Sequence, residues 1–415
     1  MSDPATPANG ARRDCDVAIV GGGPSGLAAA MELKRLGAGR VVVLEREAQA
    51  GGIPRHCGHP PFGLLSHKRL MTGPSFARLI VREALDAGVE ILPRATVMGL
   101  HPGGKVDVSH PDGSFTMQAR RVLMATGVRE TPRSARLVSG TRALGILNTG
   151  ALQGMVYLKN LAPFRRPLIV GSELVSLTAV FTCRRAGIRP VAMIEPSARP
   201  IMPWQLHQVV RALGVPLRLK TQLDSILGHG RVEAVRLRVA DGSTLEMACD
   251  GVLFTGRFTP ESSLARSSHL SIDAGTGGPL SDQFGRCSDP AFFATGNLLR
   301  PVEHHEWCWR EGKSAARWIL QDMNGELPEG ETLRLRVSAP IRFCMPQLLV
   351  RGAQGGMGQV QLRVAQPVRG RLCASDGENL LWARNVRAMP EQRILIPTAP
   401  LLKARRGGDI LIRFA

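Results

Sequence analysis

The chain has 415 residues, of which 44% are hydrophobic, and its mean hydropathy is −0.01. This length exceeds what a single hydrophobic core usually organises, so it predicts two or three domains. No apolar run reaches the roughly 18 to 20 residues that a membrane-spanning helix needs. We therefore expect a soluble protein, or one that is at most peripheral to a membrane.

The formal net charge of +19 would attract polyanions. Seven of the 53 basic residues are lysine and 46 are arginine, and they are spread along the chain without a basic block. Nucleic-acid binding is therefore not indicated, whereas an acidic partner subunit or contact with an anionic lipid surface stays open. The polar first residues, MSDPATPANGARRD, do not form a secretory signal and predict a frayed tail. We expect a cytoplasmic protein, with peripheral contact at the inner face of the membrane left open.

A strand, a glycine turn, a helix and a second strand follow one another between residues 16 and 46. Gly21, Gly23 and Gly26 occupy the three positions of a GxGxxG motif between the first strand and the helix. Such a turn brings backbone amides and the positive end of a helix to a diphosphate. Glu45 ends the second strand, where an acidic residue hydrogen-bonds ribose hydroxyls. This segment predicts a dinucleotide site.

A second unit of the same kind covers residues 167–195, but its glycine positions hold Gly171, Glu173 and Ser176. Glu173 stands where the backbone must approach a diphosphate, so it should block and repel the phosphates. Glu195 still ends the following strand. The sequence therefore favours a retained fold in which NAD(P) binding is weakened or lost. The alternative is that Glu173 turns outward and NAD(P) still binds.

The chain beyond about residue 330 alternates apolar and polar residues and is interrupted by glycine and proline. This pattern predicts a small β domain, and a sandwich is favoured. The predicted fold class is α/β, with two Rossmann-like dinucleotide-binding domains, one inserted in the other, and a C-terminal all-β domain. The predicted limits are 14–147 and 250–328 for the two parts of the first domain, 148–249 for the second domain and 334–415 for the tail.

Three longer stretches resemble a known group of flavoproteins: GGIPRHCGHPPFG at 51–63, LMTGPSFA at 70–77 and ATGVRETPRSARLVSGTRALGILNTGALQ at 125–153. The chain resembles the two-dinucleotide-domain FAD-dependent oxidoreductases, of the pyridine nucleotide-disulfide oxidoreductase type, over about residues 14–325. Within these it is similar to the flavin subunits of opine oxidase, hydroxyproline dehydrogenase and hydrogen cyanide synthase, and to flavoproteins associated with glycerol phosphate oxidation.

The resemblance implies FAD in the first dinucleotide site. It also implies that a turn at Ala125, Thr126 and Gly127 crosses near the flavin. In the family a late strand ends in Gly-Asp, and its Asp binds the ribitol chain; here Gly296 and Asn297 take these places, without the charge. The predicted cofactor-binding residues are Gly21, Gly23, Pro24, Ser25, Gly26, Glu45, Arg46, Gly52, Val97, Ala125, Thr126, Gly127, Gly296 and Asn297.

By the same resemblance, the substrate is a small amine, amino acid or hydroxy acid. Electrons would leave the FAD to an iron–sulfur subunit, a second flavin subunit or a quinone. Two alternatives remain: an NAD(P)H-dependent flavin reductase, and an FAD-stabilised subunit whose partner does the chemistry. The eight scattered cysteines form no CxxC pair, so disulfide reductase chemistry is not favoured.

The candidate catalytic residues lie in two segments. His56, Cys57 and His59 follow the Gly51–Gly52 pair, and a histidine there could take a proton during substrate oxidation. Trp307 lies near the start of a helix expected to begin at residues 303–307 and to point its N-terminus at the flavin. The adjacent His304 and His305 are further candidates near the ring, but neighbouring residues on a helix do not share a face, so no metal site is predicted. A minor suggestion is that Arg133 receives a substrate carboxylate.

Overall fold

The structure is a computed structural model, and it describes residues 14–377, 379–405 and 408–415. The predicted frayed tail falls almost entirely on residues 1–13, which lie outside the described residues. The chain divides into two compact units. The first unit contains the described chain up to Gly52, residues 77–128 and residues 260–415. The second contains residues 53–76 and 129–259.

The strands up to residue 294 are β1 Cys15–Val20, β2 Val41–Glu45, β3 Glu90–Pro93, β4 Thr96–His101, β5 Lys105–Ser109, β6 Phe115–Met124, β7 Val128–Glu130, β8 Ser139–Gly140, β9 Ile146–Asn148, β10 Pro167–Val170, β11 Ala192–Glu195, β12 Leu217–Leu219, β13 Gln222–Leu227, β14 Ala234–Arg238, β15 Thr244–Ala248, β16 Gly251–Phe254, β17 Phe258–Pro260 and β18 Phe292–Ala294. The α-helices are α1 Pro24–Arg35, α2 Gly73–Asp86, α3 Thr149–Gln153, α4 Leu174–Arg185, α5 Trp204–Ala212, α6 Ser263–Arg266, α7 His305–Met323 and α8 Thr398–Leu401.

A mostly parallel sheet forms the centre of the first unit. Its parallel part has the order β3-β2-β1-β6-β18, and β5 and β4 extend it as antiparallel neighbours of β6. All five residues of β2 and five of the six in β1 are buried, as expected for parallel strands covered on both faces. The helix α7 packs on α1, where a Cβ on Gly312 would lie 2.1 Å from the carbonyl oxygen of Ser25.

A second parallel sheet, in the order β12-β11-β10-β16-β9, forms the centre of the second unit. The helix α4 follows β10, as α1 follows β1 in the first unit. A four-stranded sheet in the order β15-β14-β13-β8 completes this unit's described sheets. The α/β fold class with two Rossmann-like parts is therefore confirmed.

The C-terminal segment is built from two sheets. Its strands are β19 Thr332–Val337, β20 Ile341–Met345, β21 Leu348–Val350, β22 Gln359–Val364, β23 Val368–Asp376, β24 Asn379–Ala388, β25 Ile394–Pro397 and β26 Ile410–Phe414. The orders are β21-β19-β26-β23-β24 and β20-β22-β25. Both sheets contribute to one apolar cluster, including Leu335, Leu362 and Ile412. The short helix α8 was not predicted. The domain limits expected from the sequence stay predictions.

Candidate functional site

The first glycine turn joins β1 to α1. Gly21 has a φ of 110°, and a Cβ there would lie 2.6 Å from the carbonyl oxygen of Ala125. A Cβ on Gly26 would lie 2.1 Å from the carbonyl oxygen of Gly21. By contrast, Gly23 has a φ of −81°, and the nearest atom to its Cβ would be Cα of Gly52 at 3.9 Å. The protein itself requires glycine at the first and third motif positions but not at the middle one.

The helix α1 begins at this turn without a capping side chain. Gly23 is its N-cap and makes no side-chain hydrogen bond, and Pro24 occupies the first turn. Amides at a helix N-terminus, together with the helix dipole, favour an anion. Open space beside Gly23 and an uncapped helix end fit the diphosphate of FAD. Gly52, at a φ of 61°, lies so close that a Cβ on it would be 2.8 Å from Cα of Gly23.

Glu45 ends β2 with a buried side chain. Its Oε2 accepts from the N–H of Gly22 at 3.0 Å, and its Oε1 accepts from the N–H of Glu47 at 2.9 Å. A carboxylate can accept further hydrogen bonds, so the predicted contact with ribose hydroxyls fits. Arg46 is exposed, and Val97 lies half-buried on β4. Both stay predicted cofactor residues.

The structure brings together cofactor candidates from distant parts of the sequence. The Ser25 hydroxyl donates to Oγ1 of Thr295 at 3.1 Å. A Cβ on Gly296, which has a φ of 68°, would lie 3.0 Å from the side chain of Ser25. Ala125 follows β6 and donates its N–H to the carbonyl of Val20 at 2.9 Å. All of these residues lie at the carboxyl edge of one parallel sheet, where such folds bind their ligands.

The other two residues of this group are held by main-chain partners. The Thr126 hydroxyl donates to the carbonyl of Glu261 at 2.7 Å. Asn297 donates its side-chain N–H to the carbonyl of Glu303 at 3.1 Å, and its Oδ1 accepts from the N–H of Glu303 at 2.6 Å. The amide of Asn297 therefore fixes the loop that leads to α7. Its predicted contact with ribitol stays a prediction.

The second glycine turn, between β10 and α4, is filled by Glu173. The Thr255 hydroxyl donates to Oε2 of Glu173 at 2.8 Å. A Cβ on Gly171 would lie 2.4 Å from this same oxygen, and one on Gly256 would lie 2.5 Å from Cδ of Glu173. The carboxylate is thus directed inward, between the carboxyl ends of β10 and β16. It lies where the phosphates of a nucleotide would be expected.

Glu195 ends β11 and is buried. Its Oε2 accepts from the Ser172 hydroxyl at 2.6 Å, and its Oε1 accepts from the N–H of Ser197 at 2.9 Å. The Ser172 hydroxyl in turn accepts from the N–H of Ile201 at 3.0 Å. Glu195 therefore has a structural role in its own loops. The sequence did not predict these contacts, because Ser172 and Ser197 carry no distinctive motif.

The predicted catalytic segment lies in the second unit. His56 ends a short 3₁₀ turn, Ile53–His56. Cys57 is buried, and its Sγ lies 3.5 Å from Oε1 of Gln153. Burial, with a contribution from Glu130, raises the pKa of Cys57 to about 12, so the thiol is protonated at neutral pH. This protonation weighs against a thiolate role for Cys57.

His59 is half-buried, and its Nδ1 lies 2.9 Å from the carbonyl oxygen of Pro60. Burial lowers the pKa of His59, which keeps the ring neutral near pH 7 and able to accept a proton. Glu130 is buried in the same unit and accepts from the N–H of Gly150 at 2.8 Å, and burial raises its pKa. Of these groups, His59 has the protonation state that a base requires.

Trp307 lies in the first turn of α7 and donates its indole N–H to Oε1 of Glu311 at 2.7 Å. The helix begins at His305 with His304 as its N-cap, within the range expected from the sequence. Arg133 donates to the carbonyls of Val138, Ser139, Gly140 and Thr141. These contacts weigh against the suggested role of Arg133 in binding a substrate carboxylate.

Two searches of the described residues bear on other kinds of site. In the part of the chain that the structure describes, no three or more His, Cys, Asp or Glu side chains are grouped as metal ligands would be. Within the same residues, no helix combines the length and apolar character needed to cross a bilayer.

Comparisons with known proteins agree with this geometry. A family model for "Pyridine nucleotide-disulphide oxidoreductase" matches residues 15–312. The alpha subunit of sarcosine oxidase from Rhizobium meliloti is 27% identical over 365 residues, which are 80% of this chain and 33% of that protein. A subunit of opine oxidase from Agrobacterium tumefaciens is 23% identical over 314 residues, 68% of this chain and 61% of that protein. The chain thus spans about a third and about three fifths of these relatives.

Solved structures show the same fold. Thioredoxin reductase of T. acidophilum has a TM-score of 0.64 at 23% identity, covering 75% of this chain and 100% of that chain. L-proline dehydrogenase from P. horikoshii has a TM-score of 0.59 at 21% identity, covering 75% of this chain and 56% of that chain.

Proposed function

Because the chain belongs to the pyridine nucleotide-disulphide oxidoreductase family, whose members are FAD-dependent, we propose that it is the flavin subunit of a dehydrogenase or oxidase. Its substrate is a small amine, amino acid or hydroxy acid. Electrons pass from the flavin to an iron–sulfur subunit, a second flavin subunit or a quinone. NAD(P)H is not the electron source.

The inward carboxylate of Glu173 is the observation that carries this proposal. A diphosphate at the β10–α4 turn would meet a negative charge packed between Gly171 and Gly256. Like charges at such short range in a poorly solvated turn repel strongly. Arg136 donates to the carbonyls of Thr255 and Gly256, so it already serves the turn. Electrons must therefore reach the flavin by another route.

The cysteines support the same conclusion. Dithiol chemistry requires two thiols that can reach each other, and all eight cysteines are unpaired. Cys57 is the cysteine nearest in sequence to the Gly51–Gly52 pair, and its pKa of about 12 keeps it protonated. An organic substrate then remains as the electron donor.

The relatives suggest what that substrate and the partner are. Two of them are named as subunits of oxidases, one of sarcosine oxidase and one of opine oxidase. A fold neighbour is named L-proline dehydrogenase. These names are consistent with an amine or amino acid substrate and with a partner subunit.

Bound FAD would supply a hydride acceptor, and the chain would supply orientation and electrostatics. Gly23 and the N-terminus of α1 would hold the diphosphate, and Glu45 the ribose. His59, neutral near pH 7, would take the proton that leaves the substrate. His56 is the alternative base in the same turn.

The first test is reduction of the flavin under anaerobic conditions. We expect NADH and NADPH to leave the flavin absorbance near 450 nm unchanged over seconds in a stopped-flow experiment. Glu173→Gly, which removes the carboxylate, should accelerate bleaching by NADH by at least about tenfold, because it removes a like charge from the turn. Glu246→Gln is the matched control, since Glu246 is an exposed acid of the same unit. Rapid bleaching of the wild type would instead identify a flavin reductase.

The second part of this test identifies the donor. The FAD-loaded chain is mixed with a panel of amines, amino acids and hydroxy acids and a dye acceptor. We expect at least one compound to reduce the dye. Activity that occurs only after a partner subunit is added, and that resides in the partner's own cofactor, would favour the non-catalytic alternative.

A further inference from the structure

The loop from Gly296 to Trp307 connects β18 to α7 and contains the predicted ribitol-binding residue. Asn297 and Glu303 bond to each other twice through the side-chain amide and the backbone, at 3.1 and 2.6 Å. The position of Asn297 therefore depends on the position of Glu303.

The side chain of Glu303 is held by the C-terminal domain. Arg363 on β22 contacts Oε1 of Glu303 at 2.6 Å and donates to the carbonyl of Val302 at 3.1 Å. Arg393 lies 3.5 Å from Oε2. Glu303 is 7% exposed and Arg363 is 11% exposed, so the pair is nearly removed from solvent. Each partner of such a pair compensates the cost of burying the other.

The same two sheets hold the loop at its other end. The guanidinium of Arg393 lies 3.8 Å from the centre of the Trp307 ring. Trp307 donates to Glu311, which forms a two-pronged ion pair with Arg300. Arg300 is fully buried and donates to the carbonyl of Gly296 at 2.8 Å and to Oε1 of Gln361 at 3.1 Å.

We propose that Arg363 and Arg393 are positioning residues of the flavin site, and that the C-terminal β domain fixes the loop beside the flavin through them. This inference rests on the proposed FAD site. It gives a role to a domain whose sequence contains no motif for chemistry. Arg363 and Arg393 act through Glu303 and Trp307 and need not touch the cofactor.

The charges of this cluster give the direction of the effect. Arg300, Arg363 and Arg393 face Glu303 and Glu311, so these five groups have a formal charge of +1. Positive charge and a helix N-terminus stabilise the negative charge of a reduced flavin. Loss of one arginine should therefore make the flavin midpoint potential more negative.

The test compares Arg363→Gln and Arg393→Gln with the wild type, all as the full chain. We expect each variant to bind FAD at least about tenfold more weakly, since a buried carboxylate loses its partner and the loop loses its position. The midpoint potential of bound FAD should shift to more negative values. In the chain without FAD, hydrogen exchange of the segment 296–307 should become faster.

Arg336→Gln is the matched control. Arg336 pairs with Asp409 within the C-terminal domain, and both side chains are well exposed at 58% and 45%. This variant should keep the FAD affinity, the potential and the exchange rates of the wild type. Arg363→Lys retains the charge, so it should recover most of the potential but less of the affinity, because lysine lacks the planar fork of arginine.

The outcomes separate this inference from the proposed function. A folded wild type that takes up no FAD would overturn the proposed function. A wild type that binds FAD, while both glutamine variants match Arg336→Gln in affinity, potential and exchange, would overturn the role of the arginines alone. If the glutamine variants fail to fold, Arg363→Lys decides: wild-type values for affinity and for exchange at 296–307 would contradict the proposal.

Discussion

Gly23 differs from the other two glycines of its motif in what would surround a side chain. Gly21 and Gly26 face backbone atoms at 2.6 and 2.1 Å, so the fold itself needs glycine there. A methyl group on Gly23 would meet protein only at 3.9 Å. The space at Gly23 is therefore left for a ligand, whereas the space at the other two is occupied by the protein.

Gly23→Ala should consequently separate binding from folding. We expect the variant without FAD to keep the wild-type melting temperature, while its affinity for FAD falls about 10- to 100-fold, or about 1.4 to 2.7 kcal/mol. Fluorescence titration of FAD and thermal unfolding measure the two quantities.

Two glycines provide the comparison for this variant. Gly26→Ala should destabilise the chain even without FAD, because its Cβ would lie 2.1 Å from the carbonyl oxygen of Gly21. Gly154→Ala should change neither quantity, since Gly154 has a φ of −59° and no neighbour within 4 Å. Equal FAD affinity of Gly23→Ala and wild type would contradict a diphosphate at this turn.

Among the elements, the packing of α7 on α1 holds the two sequence parts of the first unit together. Gly312 allows this approach, as a Cβ there would lie 2.1 Å from the carbonyl oxygen of Ser25 and 3.1 Å from its Cα. The backbone of Ser25 cannot yield without moving the start of α1. The predicted cofactor residues Ser25 and Gly296 lie at this same junction.

Gly312→Ala should therefore lower the free energy of unfolding by about 1 to 3 kcal/mol through overpacking. Because the strain acts at the start of α1, FAD affinity should fall as well. Urea unfolding and FAD titration measure both effects. Gly358→Ala, where no neighbour lies within 4 Å, is the control. An unchanged unfolding midpoint in Gly312→Ala would show that α1 and α7 separate at little cost.

The strands and helices near the glycine turns could be predicted because their signals are local. Apolar runs such as DVAIV, followed by GGGPSG, place β1 and α1 to within a residue or two. The inward direction of Glu173 could not be predicted, because it depends on Thr255, 82 residues away. The contact between Glu303 and Arg363 joins residues 60 positions apart in a domain that showed no motif. Local periodicity contains no information on such pairs.

For the whole molecule, the cysteines show how far this chain departs from dithiol chemistry. All eight are free, seven are buried, and Cys373 is half-buried. Burial raises the pKa to about 12 for Cys15, Cys57, Cys183, Cys308 and Cys344. The ordinary thiol value is 9.0, so the folded chain holds these protons more tightly than the unfolded chain. Their contribution to stability is complete below pH 9 and is lost as the pH rises toward 12.

A thiol titration tests this arrangement for the whole chain. With a disulfide reagent at pH 8, we expect about one thiol of the native protein to react rapidly, since the thiolate is the reactive form and the others are buried and protonated. All eight should react in denaturant. Cys373→Ser should abolish the rapid phase, whereas Cys57→Ser should leave both the rapid phase and flavin reduction by substrate unchanged. A second thiol reacting rapidly in the native protein, lost in Cys57→Ser together with activity, would instead place Cys57 in the redox chemistry.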